Sequence, residues 1–145
     1  MQKIEIVTFG KNKLPGGLEL QEHYLKLIAK YTTVERRALK DPGDRKISTK
    51  DISLKKISYP VLVDQAGKSY DSQLFAAHIS KLIELHSTIS LIVGNAWGFD
   101  DEIKTQVPEK LSLSQFTIAH DLAVIVLVEQ LFRALNICRS GKYHK

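Results

Sequence analysis

A single cysteine, Cys138, stands among 145 residues. That excludes an internal disulfide and any zinc site built from several thiolates, so a small secreted scaffold stapled by bridges is not expected. Four prolines and eight glycines are too few for a low-complexity or linker-rich chain. Long apolar runs are missing as well: the longest, Leu122 to Val128, is too short to span a bilayer. The opening Met1-Gln2-Lys3-Ile4-Glu5-Ile6 puts charges where a secretory signal needs an apolar core. His23, His78 and His86 show no metal-ligand spacing with each other or with carboxylates. These absences predict a soluble, unexported, cytoplasmic protein with no membrane segment and no metal.

What is present is ordinary globular material, 43% hydrophobic and 26% charged, in a length that fits one domain over residues 1–145. The formal net charge is +5, and its distribution says more than its size. Residues 1–60 carry 13 Lys and Arg against 7 Asp and Glu, residues 61–129 carry 4 against 9, and residues 130–145 carry 4 against none. Two basic ends flank an acidic middle. This is either ordinary solvated surface or a phosphate-contacting face built from both ends.

Lys3 to Phe9 alternates as a strand, Gly10 to Gly17 breaks it, and Leu18 to about Tyr31 recurs at helical spacing. Thr32 to Leu39 is a weaker strand, and Asp41 to Lys56 a polar loop with a helical turn. Tyr59 to Asp64 is predicted as an apolar strand, Gln65 to Tyr70 as a turn, and Asp71 to His86 as a helix. Thr88 to Val93 is a further buried strand, followed by Gly94-Asn95-Ala96-Trp97-Gly98 and a short helix from Asp100. A short strand over Leu111 to Phe116 and a long helix from Asp121 to Cys138 complete the pattern. Strands alternating with helices, and reading as continuous apolar runs, predict an α/β fold with a mostly parallel sheet covered by helices on both faces. Ligands in such sheets lie beyond the carboxyl ends of the strands, so the turns after Asp64, after Val93 and around Phe116 should line one crevice.

The Gly94–Gly98 turn lacks dinucleotide or Walker spacing. Asp100, Asp101 and Glu102 at the next helix start repel phosphate, so a neutral or cationic ligand suits it better. The plain alternative is a strand-to-helix turn with Trp97 capping the core. Leu111 to Thr117 offers backbone donors and acceptors beside apolar side chains, which suits an adenine ring; a short amphipathic strand with solvated serines is the plainer reading. His120 precedes the last helix as a cap neighbour or a proton carrier. Glu129 and Arg133 have the spacing of a helix-stabilising pair. The tail Arg139 to Lys145 is either RNA-gripping or frayed.

Taken together, the segments Gly10-Lys11, Val63-Asp64 with Gly67-Lys68 and Ser72, Leu91-Ile92-Val93-Gly94 with Gly98-Phe99, Leu111-Ser112-Leu113-Ser114, Phe116-Thr117, His120, Glu129 to Ala134 and Tyr143-His144-Lys145 resemble one family. It is the ribosomal RNA large-subunit pseudouridine methyltransferase family, minimal trefoil-knot (SPOUT) methyltransferases. The resemblance implies a cytoplasmic homodimer with a carboxyl-terminal trefoil knot. It implies S-adenosyl-L-methionine as cofactor and N3 of a pseudouridine in 23S ribosomal RNA, within the assembled ribosome, as methyl acceptor. Carried over by position, the cofactor contacts are Val63, Gly94 and the run Leu113, Ser114, Gln115, Phe116, Thr117 and Ile118. Arg133, Tyr143 and His144 fall at the target, with active sites built across the dimer. Asn95 stands where many relatives have a second glycine, which puts a side chain close to the expected cofactor, and Val124 stands where numerous relatives carry arginine. A non-catalytic RNA- or ribosome-binding protein on the same fold is the alternative. A receiver-like signalling domain is disfavoured, because Gly10-Lys11-Asn12-Lys13 stands where a receiver needs acids.

Overall fold

A computed structural model describes residues 2–145. The elements in chain order are β1 (Lys3–Phe9), α1 (Gly17–Ile28), β2 (Thr33–Leu39), β3 (Pro60–Ser69), α2 (Ser72–Leu85), β4 (Thr88–Val93), α3 (Asp101–Gln106), β5 (Glu109–Ser112) and α4 (His120–Cys138), with one 3-10 turn at Leu54–Lys56. The five strands form one sheet in the order β2-β1-β4-β3-β5, and every strand pair in it is parallel.

The order explains where the helices lie. The steps β1 to β2 and β3 to β4 run one way across the sheet, while β2 to β3 and β4 to β5 run the other way. Parallel crossovers keep one hand, so opposite directions must use opposite faces. Accordingly α1 and α2 pack on one face together with α4, around Ile6, Ile28, Ile79, Leu91, Leu127 and Leu131. On the other face Ile47 and Ile52 of the β2–β3 connection, with Ile103 of α3, cover Val7, Leu62 and Ile92. The expected two-sided burial is present but unequal: three long helices on one face, a short helix and an irregular segment on the other.

Alternation within each strand feeds both cores. Val61 enters the first and Leu62 the second, and Leu91 and Ile92 divide the same way, as side chains of successive strand residues must. Asp71 and Asp100 start α2 and α3 by accepting from the backbone N–H groups of Leu74 at 2.8 Å and Ile103 at 2.9 Å, the usual N-cap bond. The apolar circumference of α4 is largely used inside the chain, since Ala123, Val124, Leu127, Val128 and Leu131 are all buried between α1 and α2. Val124 is part of this core, so it faces the interior of the chain.

Several boundaries differ from the expectations; α1, for one, ends at Ile28 and not at about Tyr31. Residues 65–69 are not a turn: β3 continues through a bulge in which both Val63 and Lys68 pair with Leu111 of β5. Gly67 makes this possible, because a Cβ there would lie 2.6 Å from the carbonyl carbon of Lys110 and 2.7 Å from the nitrogen of Leu111. The expected strand 111–116 is shorter and earlier, Glu109–Ser112, and residues 113–119 form a loop. Here serine side chains bond locally instead of supporting a ladder: Ser112 Oγ donates to the Ser114 carbonyl at 2.9 Å, and Ser114 Oγ accepts from Phe116 N–H at 2.9 Å. Finally, α4 begins at His120, one residue before its expected start.

Candidate active site

The connections leaving β3 and β4 depart to opposite faces, and a crevice opens beyond the carboxyl ends of these neighbouring strands, as the switch-point rule requires. Its volume is about 300 Å³. Val63, Gly94, Leu113, Ser114, Phe116, Thr117 and Ile118 all line it, so the three separate turns meet in one place. Gln115 does not line the crevice. Its backbone carbonyl accepts from Gln65 Nε2 at 2.7 Å, and Thr117 Oγ1 donates to Gln65 Oε1 at 3.0 Å. One glutamine side chain from the β3 bulge thus holds the 113–118 loop at two points. Phe116 borders the crevice and is 83% exposed.

Gly94 lies where a Cβ would come within 3.2 Å of the Phe99 ring, so the chain passes here as glycine without disturbing that core side chain. Asn95 does not plug the crevice. Its Nδ2 donates to Asp41 Oδ1 at 3.2 Å and to the carbonyls of Gly43 and Arg45 at 3.4 and 2.9 Å, and its Oδ1 accepts from Trp97 N–H at 3.0 Å. The Gly43 N–H bond, above all, with Asn95 also contributing, holds the Asp41 carboxyl below its usual range. Trp97 is no cap on the core: the residue is 56% exposed on the crevice wall. Two residues that sequence reasoning missed complete the wall, Asp64 and Lys104, whose charges approach to 3.5 Å. Asp64 Oδ2 is buried without a hydrogen-bond partner. His120, on the same wall, lies 3.4 Å from Asp121.

Arg133, Tyr143 and His144 form a second cluster. The tail is not frayed but folds back on α4. Arg133 Nη2 donates to Glu129 Oε2 at 2.9 Å and its Nη1 to His144 Nδ1 at 3.2 Å, while its guanidinium lies 4.8 Å from the Tyr143 ring centroid. Tyr143 Oη donates to Glu129 Oε2 at 3.0 Å, and its ring meets Phe132 edge-on with centroids 4.7 Å apart. Burial, reinforced by the hydroxyl of Tyr24 and by Glu129, pushes the Tyr143 phenol well above its usual range, so it is a donor at neutral pH. The Glu129 bond raises the already high value of Arg133, fixing it as a cation.

Asn136 positions the tail, and composition reasoning overlooked it. Its Oδ1 accepts from Tyr143 N–H at 3.1 Å and its Nδ2 donates to Tyr31 Oη at 3.0 Å. The available signal was a polar residue inside an otherwise apolar helix, the same signal that drew attention to Glu129. Gly141 passes so close to the Asn136 side chain that no Cβ fits.

Within one chain the two clusters are apart. Ala123 lines the crevice and Arg133 lies ten residues further along α4. At 1.5 Å per residue that is about 15 Å.

A family model described as "Predicted SPOUT methyltransferase" matches residues 2–144. A protein of Pseudothermotoga lettingae named ribosomal RNA large subunit methyltransferase H is 37% identical over 151 residues, covering 98% of this chain and 99% of that one. Proteins of the same name from Malacoplasma penetrans and Maridesulfovibrio salexigens are 32% and 31% identical, each over 99% of both chains. With an all-parallel α/β sheet, a crevice at its switch point and a family match along nearly its whole length, the chain belongs to the SPOUT methyltransferases.

Proposed function

We propose that this protein transfers a methyl group from S-adenosyl-L-methionine to N3 of a pseudouridine in the 23S RNA of the assembled ribosome, as a cytoplasmic homodimer of single-domain chains. The observation that carries this reading is the meeting of Val63, Gly94 and residues 113–118 in one crevice. Its apolar walls at Val63, Leu113 and Ile118 suit the faces of an adenine, and the loop backbone suits its edge. A volume of about 300 Å³ is at the lower end for a small-molecule site open to solvent. The cofactor would bring an electrophilic methyl group on a sulfonium; the Asp64 carboxylate on the crevice wall is balanced by Lys104 at 3.5 Å, so the pair adds no net charge there.

The remaining chemistry is done by side chains. Nδ1 of His144 accepts from Arg133, so the neutral ring carries its proton on Nε2. Nε2 of His144 has no partner among the described residues. It is a donor suited to a carbonyl oxygen that flanks N3, where negative charge develops as its proton leaves, and the Arg133 cation beside it adds to that stabilisation. His120 on the crevice wall is the acceptor for that proton, since Nδ1 of His144 is already engaged. Holding the acceptor base in line supplies much of the rate.

A separation of about 15 Å along α4 supports a crevice in one subunit that is completed by the tail of another. Phe116, Leu122 and Leu74 are exposed apolar side chains, and Leu122 continues along α4 into the half-buried Val126, giving a second copy a surface to cover. We also infer the trefoil threading: residues 113–120 leave β5 at the sheet edge and return across the ends of β3 and β4, bringing Ile118 and His120 beside Gly94. The test is incubation of the purified protein with labelled S-adenosyl-L-methionine and ribosomes lacking the modification, followed by mass spectrometry of the 23S RNA. Labelled ribosomal protein with unlabelled RNA would refute the assignment.

A further inference from the structure

The crevice has a lip that the mechanism above does not use. Residues 41–46 lie against the Gly94–Gly98 turn, held by Asn95, which is only 7% exposed and spends its amide on Asp41, Gly43, Arg45 and the backbone of Trp97. The seam continues as a parallel bridge between Ile47 and Phe99, with Ile47 N–H donating to the Gly98 carbonyl at 2.8 Å and Asp100 N–H to the Ile47 carbonyl at 2.9 Å. The lip and the turn therefore form one backbone unit.

That unit presents two groups to solvent beside the crevice. Trp97 is 56% exposed, and its indole stacks on no other aromatic ring among the described residues. Lys46 is exposed, lines the crevice, and has no carboxylate within ion-pair distance among the described residues. Its neighbour Arg45 is by contrast neutralised by Asp51 through two bonds of 2.8 Å. Exposing a large rigid ring forfeits apolar burial, and its backbone is pinned, so the ring cannot sink into the core. An anchored aromatic face next to an unpaired cation has the chemistry of a single-stranded nucleic-acid contact, in which a base stacks on the ring and its phosphate meets the ammonium.

We propose that Trp97 and Lys46 form a docking lip for an unpaired nucleotide of the ribosomal RNA next to the acceptor base, with Asn95 as the residue that positions it. The inference rests on the RNA substrate proposed above. It also gives Asn95 a task that a glycine could not perform.

The experiment compares Trp97→Ala, Trp97→Phe, Asn95→Gly and Lys46→Ala in methyl transfer to large ribosomal subunits, with the affinity for S-adenosyl-L-methionine measured separately. Trp97→Ala raises KM for the subunits about tenfold, the scale of one lost base stack, and leaves the cofactor Kd unchanged. Trp97→Phe keeps most of the wild-type KM because it keeps a ring face, and Asn95→Gly raises KM by loosening the lip. Lys46→Ala reduces the slope of log affinity against log salt by about 0.7 to 0.9, one phosphate contact. A folded Trp97→Ala protein with wild-type KM overturns the proposal. So does a loss confined to the cofactor Kd, which would place the ring on the cofactor. If the wild type transfers no methyl group, the function proposed above falls, and a separate readout still decides the lip. Trp97 is the one tryptophan in the sequence, so oligouridylate must quench its fluorescence, and less so in Lys46→Ala; unchanged emission rejects the lip.

Discussion

Arg133 donates from Nη1 to Nδ1 of His144 across 3.2 Å. A guanidinium has no lone pair to offer, so the imidazole nitrogen in this contact must be the acceptor. The bond thereby selects a tautomer, with Nε2 as the donor that His144 would offer a substrate. In ¹⁵N-labelled protein at neutral pH, Nδ1 of His144 should appear as the bare nitrogen and Nε2 as the protonated one. The reverse assignment would remove His144 from the role of donor to the base.

Replacing Arg133 by Ala removes the cation that holds His144 as a donor toward the developing negative charge. The loss in kcat should be about 10²- to 10³-fold, the range seen when one such donor is deleted. Binding of S-adenosyl-L-methionine should persist, because the crevice lies at the other end of α4. The same change leaves Glu129 with only Tyr143 and Gln130 as partners, so a modest fall in thermal stability accompanies it. Full activity in a folded dimer would exclude Arg133 from catalysis.

Gly141 is the narrow point of the tail. A Cβ there collides with Asn136, whose carboxamide holds Tyr143, so Gly141→Ala should displace Tyr143 and His144 together. Activity should fall to the level of a chain truncated after Ser140. The far-ultraviolet circular dichroism should remain that of the wild type, because the sheet and α4 are untouched. Retained activity would show that the docked tail is dispensable.

The arrangement of two half-sites can be tested by mixing. Gly94→Val puts branches into the crevice floor beside Phe99, and Arg133→Ala disables the tail cluster. If each crevice is served by the partner's tail, every mixed dimer holds one intact site, so an equal mixture should regain about a quarter of wild-type activity. If each chain serves itself, no intact site can form and the mixture stays inactive. Light scattering that finds only monomer at working concentration would oppose the shared site directly.

Stability should fall at both extremes of pH for identifiable reasons. Hydrogen bonds from Arg45, above all, with help from Ser48, hold Asp51 at about 2. The unfolded chain takes up this proton first, so the contribution is present above the ordinary carboxylate value and is lost as pH falls through about 2. Burial first, and then its bond to Glu109, pushes Tyr59 up to about 12. The folded chain keeps that proton to higher pH, so this contribution is complete below about 10 and fades as pH rises toward 12. Thermal midpoints across pH should show Asp51→Asn flattening the acid limb and Tyr59→Phe the alkaline one.

Gly67→Ala is the corresponding test of the β3 bulge. The added methyl would press on the backbone between Lys110 and Leu111, which cannot swing aside as a side chain could. A destabilisation of about 1 to 3 kcal/mol is expected, seen as a fall of several degrees in Tm.

Much of the fold was legible in local patterns. Continuous apolar strands between amphipathic helices marked an α/β sheet, because burial on both faces leaves no polar alternation. The turns after Asp64, after Val93 and around Phe116 were legible as neighbours of one crevice, since turns at the carboxyl ends of parallel strands share one side of the sheet. The bulge at Gly67 was not legible: a Gly-Lys pair after an apolar run reads as a turn, and only the pairing of Val63 and Lys68 with the same Leu111 makes it a continuing strand. Asn95 could be marked as a side chain near the expected cofactor but not as the clamp of the 41–46 lip, because its partners lie about fifty residues away in the chain.

The order of residues, by itself, determined the layered class, the strand-and-helix succession, the family and the end of the sheet at which the crevice opens. Those follow from periodicity and from short segments whose partners are near in sequence. Tertiary structure alone decided that the tail folds back onto Glu129 and Asn136, that His144 is held as one tautomer, that Asp64 is left without a hydrogen bond, and that Trp97 faces outward. Each depends on atoms brought together from distant parts of the chain, where packing and hydrogen-bond geometry choose among arrangements that local propensity leaves equal.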